Sequence, residues 1–259
     1  MTTVGSKAGG RWSQWHEKFV VEERYVDPGD RRRLYATSAV LITVGLTAFF
    51  FLLGGVLTHT GFERFDEPVE TWIDAQRSGS STGFMIALAI IFGPVALPII
   101  VLVVLVIWVI AARHAWRPLL LAGGMLSGVI LAQIIAPLVQ HPRPPVGLML
   151  FGPDHTYSFP SGHVLGTADF FLILAFLLAS RIQRTWFTVT AVLIAIVGIL
   201  AQVVSRLYLG YHWISDTAAS IALAMVIVGA VIAIDTRRTV RIPGEKIEGE
   251  YSQPQTDGT

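Results

Sequence analysis

The sequence predicts an all-α membrane protein, a bundle of six transmembrane helices, and three observations carry that prediction. Hydrophobic residues make up 53% of the 259 and charged residues only 14%, where a soluble domain carries about 25% charged residues. Mean hydropathy is +0.61. The apolar residues gather into six runs with short polar connections: Leu34 to Leu57, Phe84 to Ala111, Pro118 to Val139, Val164 to Ala179, Trp186 to Val204 and Ile214 to Ile234. A helix needs roughly 20 such residues to cross the hydrocarbon core. Most runs reach that length, and the fourth, which is short, gains a turn by starting at Ser161. The chain thus divides into a basic, amphipathic segment over 1–33, a six-span domain over 34–235 and a tail over 236–259.

Taken in order, Trp12, Trp15 and Phe19 fall at helical spacing ahead of Arg31, Arg32 and Arg33, the pattern of a helix lying in the headgroup layer. The first span begins after more than thirty mostly polar residues and is long enough to cross, so it reads as a retained anchor and not a cleaved signal. In the loop after it, Phe65, Val69, Trp72 and Ile73 share one helical face while Glu67, Glu70 and Asp74 lie off it, with Pro68 in the first turn. That suits an interfacial helix that seals the bundle or gates lipid access. Gly124 and Gly128 give the third span a small-residue face for close packing. Asp169 falls inside the fourth span. A carboxylate there is costly enough to need a partner, and Gln202 or Gln133 would supply one in a structural network if those helices adjoin, the alternative being a direct catalytic role. Beyond Ile242 the composition, rich in Gly, Glu, Gln, Pro and Ser, is that of a disordered segment.

Arginine sets the orientation. Arg31 to Arg33, Arg113 and Arg117, Arg181 and Arg184, and Arg237, Arg238 and Arg241 all fall on one side of the span pattern. By the positive-inside rule that side, with both termini, is cytoplasmic. The basic loops and short connections fit a bacterial plasma membrane. A net charge of +1 offers no basic face for nucleic acid, and the absence of cysteine excludes disulfides and thiolate metal sites.

Three polar stretches fall on the opposite, extracytoplasmic side. Arg143 is bracketed by Pro142, Pro144 and Pro145, so its guanidinium is presented from a stiff loop and suits phosphate oxygens, although Arg-Pro beside a span is also an interfacial anchor. Ser161-Gly162-His163 opens the fourth span. Ser161 is a good N-cap, the amides after it point outward without helical partners, and Gly162 lets an oxyanion approach; a plainly capped helix start gives the same tetrapeptide with Pro160. Finally, His212 and Asp216 lie one turn apart, so the carboxylate can bind one imidazole nitrogen and leave the other free. Arg206 returns toward the same point across the Leu207 to Tyr211 turn.

In order and spacing, Arg143-Pro144, Pro160-Ser161-Gly162-His163, and Ser205-Arg206 with His212 and Asp216 resemble the three-part signature of the type 2 phosphatidic acid phosphatases, or lipid phosphate phosphatases, in their integral membrane branch. The likeness extends over the six-span layout. It implies hydrolysis of a lipid phosphate or diphosphate, without metal or cofactor, through a phosphohistidine. His212 matches the nucleophile, Asp216 its orienting partner and His163 the acid that protonates the departing oxygen. Arg143, Arg206, Ser161 and Gly162 match the phosphate-binding positions. One position departs: the signature opens with a lysine seven residues before the arginine, and here that place is Ala136. The missing charge-assisted contact is worth about 1.5 to 3 kcal/mol if unreplaced, and Gln140 or His141 would be the substitute donors.

The implied partners are the bilayer and a lipid phosphate such as a polyprenyl diphosphate, phosphatidic acid or phosphatidylglycerol phosphate. A phosphotransferase passing the same phosphohistidine to an alcohol, and a noncatalytic lipid-binding or transport relative, are the alternatives. Intact His163, His212 and Asp216 argue against the last.

Overall fold

The structure is a computed structural model that describes residues 16–247 and 250–255. Strand β1 (Val21–Tyr25) precedes helix α1 (Pro28–Thr58), a 3-10 turn (Gly61–Phe65) and the short helix α2 (Asp66–Asp74). Helices α3 (Gly79–Ile91), α4 (Ala96–Ala111), α5 (Trp116–Val139), α6 (Gly162–Ile182), α7 (Thr185–Tyr208) and α8 (Ile214–Thr239) follow, with strands β2 (Val240–Arg241) and β3 (Ser252–Pro254).

The molecule is a helical membrane bundle. Helices α1, α5, α6, α7 and α8 are each long and apolar enough to cross a bilayer. The second expected span is not one rod: α3 and α4 are long and apolar enough to cross only when taken together, and they are bent by 51° at a short break. The break holds Gly93 and Pro94. Proline has no amide to donate and disfavours helix in the residue before it. The outer faces of the bundle carry apolar side chains, among them Ile99, Leu102, Leu126 and Val197, as a lipid-facing surface requires.

Helix α8 runs through the middle, packed on α1, α6 and α5. Lipid tails are as apolar as the core, so helices meet in a membrane through close approach and polar contacts. Small residues supply the first. A Cβ on Gly45 would lie 2.6 Å from the Ala222 carbonyl, and one on Gly229 2.9 Å from that of Ser38. The Ser38 hydroxyl supplies the second, donating to the Gly229 carbonyl at 2.7 Å. Because α8 is central, its N-terminus, with His212 just before it and Asp216 in its first turn, is delivered to the bundle axis.

Two interior expectations need correction. Asp169 is fully buried, but neither of its oxygens and neither polar atom of Gln202 has a hydrogen-bond partner among the described residues, while Gln133 is exposed. The expected network is therefore not formed, and Asp169 packs instead against Gly128, where any side chain would collide with it. In α2, Ile73 is buried, but Phe65 and Trp72 are exposed and the acids Asp66 and Glu70 turn inward. They do so because each finds a partner: Ser215 for Asp66 and Arg77 for Glu70.

At the end away from the site, β1 lies between β2 and β3 and pairs in parallel with both, Arg24 opposite Val240 and Val21 opposite Ser252. The tail beyond 236, expected to lack structure, thus contributes the end of α8 and two strands. Buried Glu23 is held by Arg238 at 3.0 Å and Arg241 at 2.7 Å, so the tail's charges are spent on a partner, and both edges of β1 are covered. Trp12 and Trp15 of the expected surface helix lie outside the described residues; Phe19 is exposed.

Candidate active site

The three polar stretches meet at one end of the bundle. Ser161 caps α6, its side chain accepting from the Val164 amide at 3.5 Å. The amides of Gly162 and His163 have no acceptor among the described residues, and a Cβ on Gly162 would meet nothing within 4 Å. Two N-H groups at the positive end of a 21-residue helix therefore face open space, which is the condition for binding an oxyanion. His163 is part-exposed on the first turn, its Nε2 beside Gly93 in the break of the second span.

His212 is buried in the turn between α7 and α8. Its Nδ1 lies 2.9 Å from the Ser158 carbonyl and 3.5 Å from Asp216 Oδ2. A carbonyl can only accept, so Nδ1 carries the proton and Nε2 carries the lone pair. Ser158, which the sequence did not single out, is thus the closer partner that sets the tautomer, with the Asp216 carboxylate standing behind it. Burial, the loss of water around a cation, pushes His212 down to about 4 despite the Asp216 contact. It is neutral at pH 7, the form in which a nitrogen attacks.

Asp216, fully buried, divides its oxygens. Oδ2 accepts from the Trp213 amide at 2.8 Å, closing the N-terminus of α8. Oδ1 accepts from Nδ1 of His141 at 2.9 Å and from the Ser158 hydroxyl at 3.3 Å. His141 does not replace the missing lysine: its Nδ1 is turned onto Asp216.

The arginines converge from two elements. Arg143 Nη1 lies 2.7 Å from the Tyr211 carbonyl and 3.2 Å from Nε2 of His212, while Nη2 reaches Thr156 Oγ1 at 2.9 Å and Asp154 Oδ2 at 3.1 Å. Arg206, on the last turn of α7, is buried with its Cζ 4.4 Å from the centre of the Tyr211 ring, and its Nε has no hydrogen-bond partner among the described residues. The hydroxyl of Tyr211 in turn donates to the Gly152 carbonyl. A stacked guanidinium with a spare donor is a ready anion ligand.

Of these groups, His163, Arg206 and Tyr211 line a cavity of about 570 Å³, while Arg143, His212 and Asp216 are not on its wall. His163, Arg206 and Tyr211 line its polar end, Asp154 and His155 its rim, and Ile90, Pro94, Val95 and Ile99 its apolar flank. Ile90, Val95 and Ile99 are also exposed on the bundle's outer surface. Seven expected residues, Arg143, Ser161, Gly162, His163, Arg206, His212 and Asp216, are therefore gathered in one region.

One cluster has the composition of a metal site. Glu63, Asp66 and His141 each place one ligand atom within 4.8 Å of the others. Both oxygens of Asp66, however, already accept from Ser215, at 2.9 Å from its amide and 2.6 Å from its hydroxyl.

The sequence profile of the PAP2 superfamily matches residues 117–239, a stretch that contains all seven. Phosphatidylglycerophosphatase B of Bacillus subtilis is 21% identical over 212 residues, 75% of this chain and 95% of that protein. The fold matches a crystal structure of a transmembrane PAP2-type phosphatidylglycerolphosphate phosphatase from Bacillus subtilis with a TM-score of 0.67 at 18% identity, over 75% of this chain and 96% of the other.

Proposed function

We propose that the chain, whose residues 117–239 match the PAP2 superfamily, is a membrane phosphatase of that kind that hydrolyses a lipid phosphate or diphosphate through a phosphohistidine on His212. The observation that carries this reading is the two-ended cavity, cationic and imidazole-bearing at one end and apolar toward the lipid-facing surface at the other. A headgroup phosphate fits the first and acyl or prenyl chains the second. Arg143, Arg206 and the Gly162 and His163 amides hold the phosphate oxygens, so charge developing on them meets fixed donors. Nε2 of His212 attacks phosphorus as the ester P–O bond breaks, and His163 gives its proton to the departing oxygen. Water then attacks phosphorus, returning a proton to His163. The N–P bond breaks, and inorganic phosphate leaves.

The test is phosphate release in proteoliposomes containing chelator, from phosphatidylglycerol phosphate, phosphatidic acid and a polyprenyl diphosphate in turn. Phosphatidylglycerol phosphate, the substrate in the names of both Bacillus relatives, is expected to turn over. A folded protein that releases phosphate from none of the three would contradict the reading.

The arginine clusters, Arg31 to Arg33, Arg113 and Arg117, Arg181 and Arg184, and Arg237, Arg238 and Arg241, lie at the end away from the cavity, so the site faces away from the cytoplasm under the positive-inside rule. Because the chain has no cysteine, single cysteines report sidedness directly. Exposed Val146, in the loop near the site, and Arg184, between α6 and α7, are suitable positions. In intact cells an impermeant maleimide is expected to label Val146→Cys and spare Arg184→Cys. The reverse pattern would place the site inside.

A further inference from the structure

Behind the nucleophile stands a second imidazole that neither the family match nor the proposed chemistry uses. His141 is 5% exposed and follows the left-handed end of α5 at Gln140, which swings it under the site. Its Nδ1 lies 2.9 Å from Oδ1 of Asp216, closer to that carboxylate than His212 is at 3.5 Å. Ser158 ties the two imidazoles together: its carbonyl accepts from His212, while its hydroxyl lies 3.1 Å from His141 Nδ1. On the other side of His141 are two more acids, Asp66 and Glu63, from the connection after α1. Asp66 is itself pinned to Ser215, next to Asp216 in α8. The catalytic carboxylate therefore lies between two imidazoles in a row that runs His212, Asp216, His141, then Asp66 and Glu63.

We propose that His141 is a positioning residue that acts as a cation on Asp216, letting the carboxylate hold the His212 ring without taking its Nδ1 proton. This rests on the phosphohistidine reading. The chemistry of the second step gives the reason. Once Nε2 is bonded to phosphorus, His212 with its Nδ1 proton in place is a cationic ring, and it departs as neutral imidazole when water attacks. If Asp216 removed that proton, the departing group would be an imidazolate, a far poorer one, and the phosphoenzyme would stall. A carboxylate beside only one imidazole is free to take the proton. One that already accepts a charge-assisted hydrogen bond from a second, cationic imidazole is less basic. Burial opposes a charge on His141, but the Asp216 hydrogen bond and the charges of Asp216, Asp66 and Glu63 outweigh it and hold the ring above its usual range. Phe159 closes the apolar side, edge-on with ring centres 6.5 Å apart, so water does not compete for the contact.

His141→Gln tests this, because glutamine keeps a hydrogen-bond donor for Asp216 and removes the charge. Formation of the phosphoenzyme is preserved and its hydrolysis slowed. Turnover is expected to fall by about 10- to 100-fold, the range seen when the hydrogen-bond partner that orients a metal-bound imidazole is lost, with KM falling alongside so that kcat/KM changes little. The alkali-stable, acid-labile phosphoenzyme is expected to accumulate at steady state after alkaline quench of labelled substrate. A packing role alone would lower kcat and kcat/KM together and leave the label unchanged. His141→Ala, which loses both donor and charge, serves as a second variant and is expected to trap label in its folded fraction. Labelled wild type beside a His141→Gln protein that matches it, or that loses kcat and kcat/KM equally without extra label, overturns the role of His141 alone. A wild type that releases phosphate without ever carrying label overturns the phosphohistidine reading and this role with it.

Discussion

Replacing His212 by alanine is expected to bring phosphate release down to background, a loss on the order of 10⁶, the scale reached when the nucleophile of a covalent mechanism is removed. The size follows from how the imidazole is prepared. Nδ1 is tied to the Ser158 carbonyl and backed by Asp216, so the lone pair is fixed on Nε2. Arg143 stands 3.2 Å from that nitrogen, and in exchanging this contact for a phosphate oxygen it would bring phosphorus to the lone pair. No other imidazole shares this setting. His141 is turned onto Asp216, and His155 lies on the cavity rim, exposed. Folding of the variant is checked by its thermal transition in detergent. A folded His212→Ala protein with more than about a thousandth of wild-type turnover, above the residual that binding groups alone sustain, would show that another group attacks.

His163→Ala is expected to behave differently. It removes proton transfer while leaving the nucleophile and the phosphate cradle intact, for a loss of about 10² to 10⁴. Its backbone amide, one of the two free donors at the start of α6, remains. A substrate whose leaving oxygen needs no proton, such as nitrophenyl phosphate, should therefore recover much of the first step. Water activation in the second step still lacks its base, so the phosphoenzyme accumulates with this substrate. Equal loss on alkyl and nitrophenyl esters would mean that His163 binds phosphate and does not transfer the proton.

The candidate groups were marked locally in the sequence. Arg143 among prolines, Ser161-Gly162 at a helix start, and His212 one turn from Asp216 point to anion binding and an oriented imidazole, the resemblance to the type 2 phosphatidic acid phosphatases supplies their expected roles, and the six apolar runs put all three stretches on one side. What escaped depends on contacts between distant segments. Ser158 acts through its carbonyl, which every residue has, so no side-chain pattern marks it. His141 looked like a donor for phosphate because it precedes Arg143, and only the left-handed turn at Gln140 sends it to Asp216 instead. The parallel pairing of Val21 with Ser252 joins opposite ends of the chain, and neither segment has a strand pattern of its own. The break in the second span did leave a signal. Phe84 to Ala111 is longer than a straight crossing needs, and Gly93-Pro94 sits within it, the usual cause of a sharp bend.

The break also explains why the cavity lies where it does. A straight helix would carry Ile90 and Val95 along the bundle wall. The 51° bend opens the space between that wall and His163, and Ser205 beside Arg206 ties α7 to the near half through the Met85 carbonyl at 2.8 Å. Arg206 and the apolar flank are thereby held at a fixed separation, as the proposed substrate, a lipid with a charged head and an apolar tail, requires.

The most direct test of the covalent mechanism is to find the phosphate on the enzyme. Labelled lipid substrate is mixed with the protein in the presence of chelator, quenched in alkali within a single turnover, and the peptide carrying the label is identified by mass spectrometry. One phosphate per chain on His212, absent from the His212→Ala protein, is the expected result. Turnover with no labelled residue, or with the label on any other side chain, would contradict it.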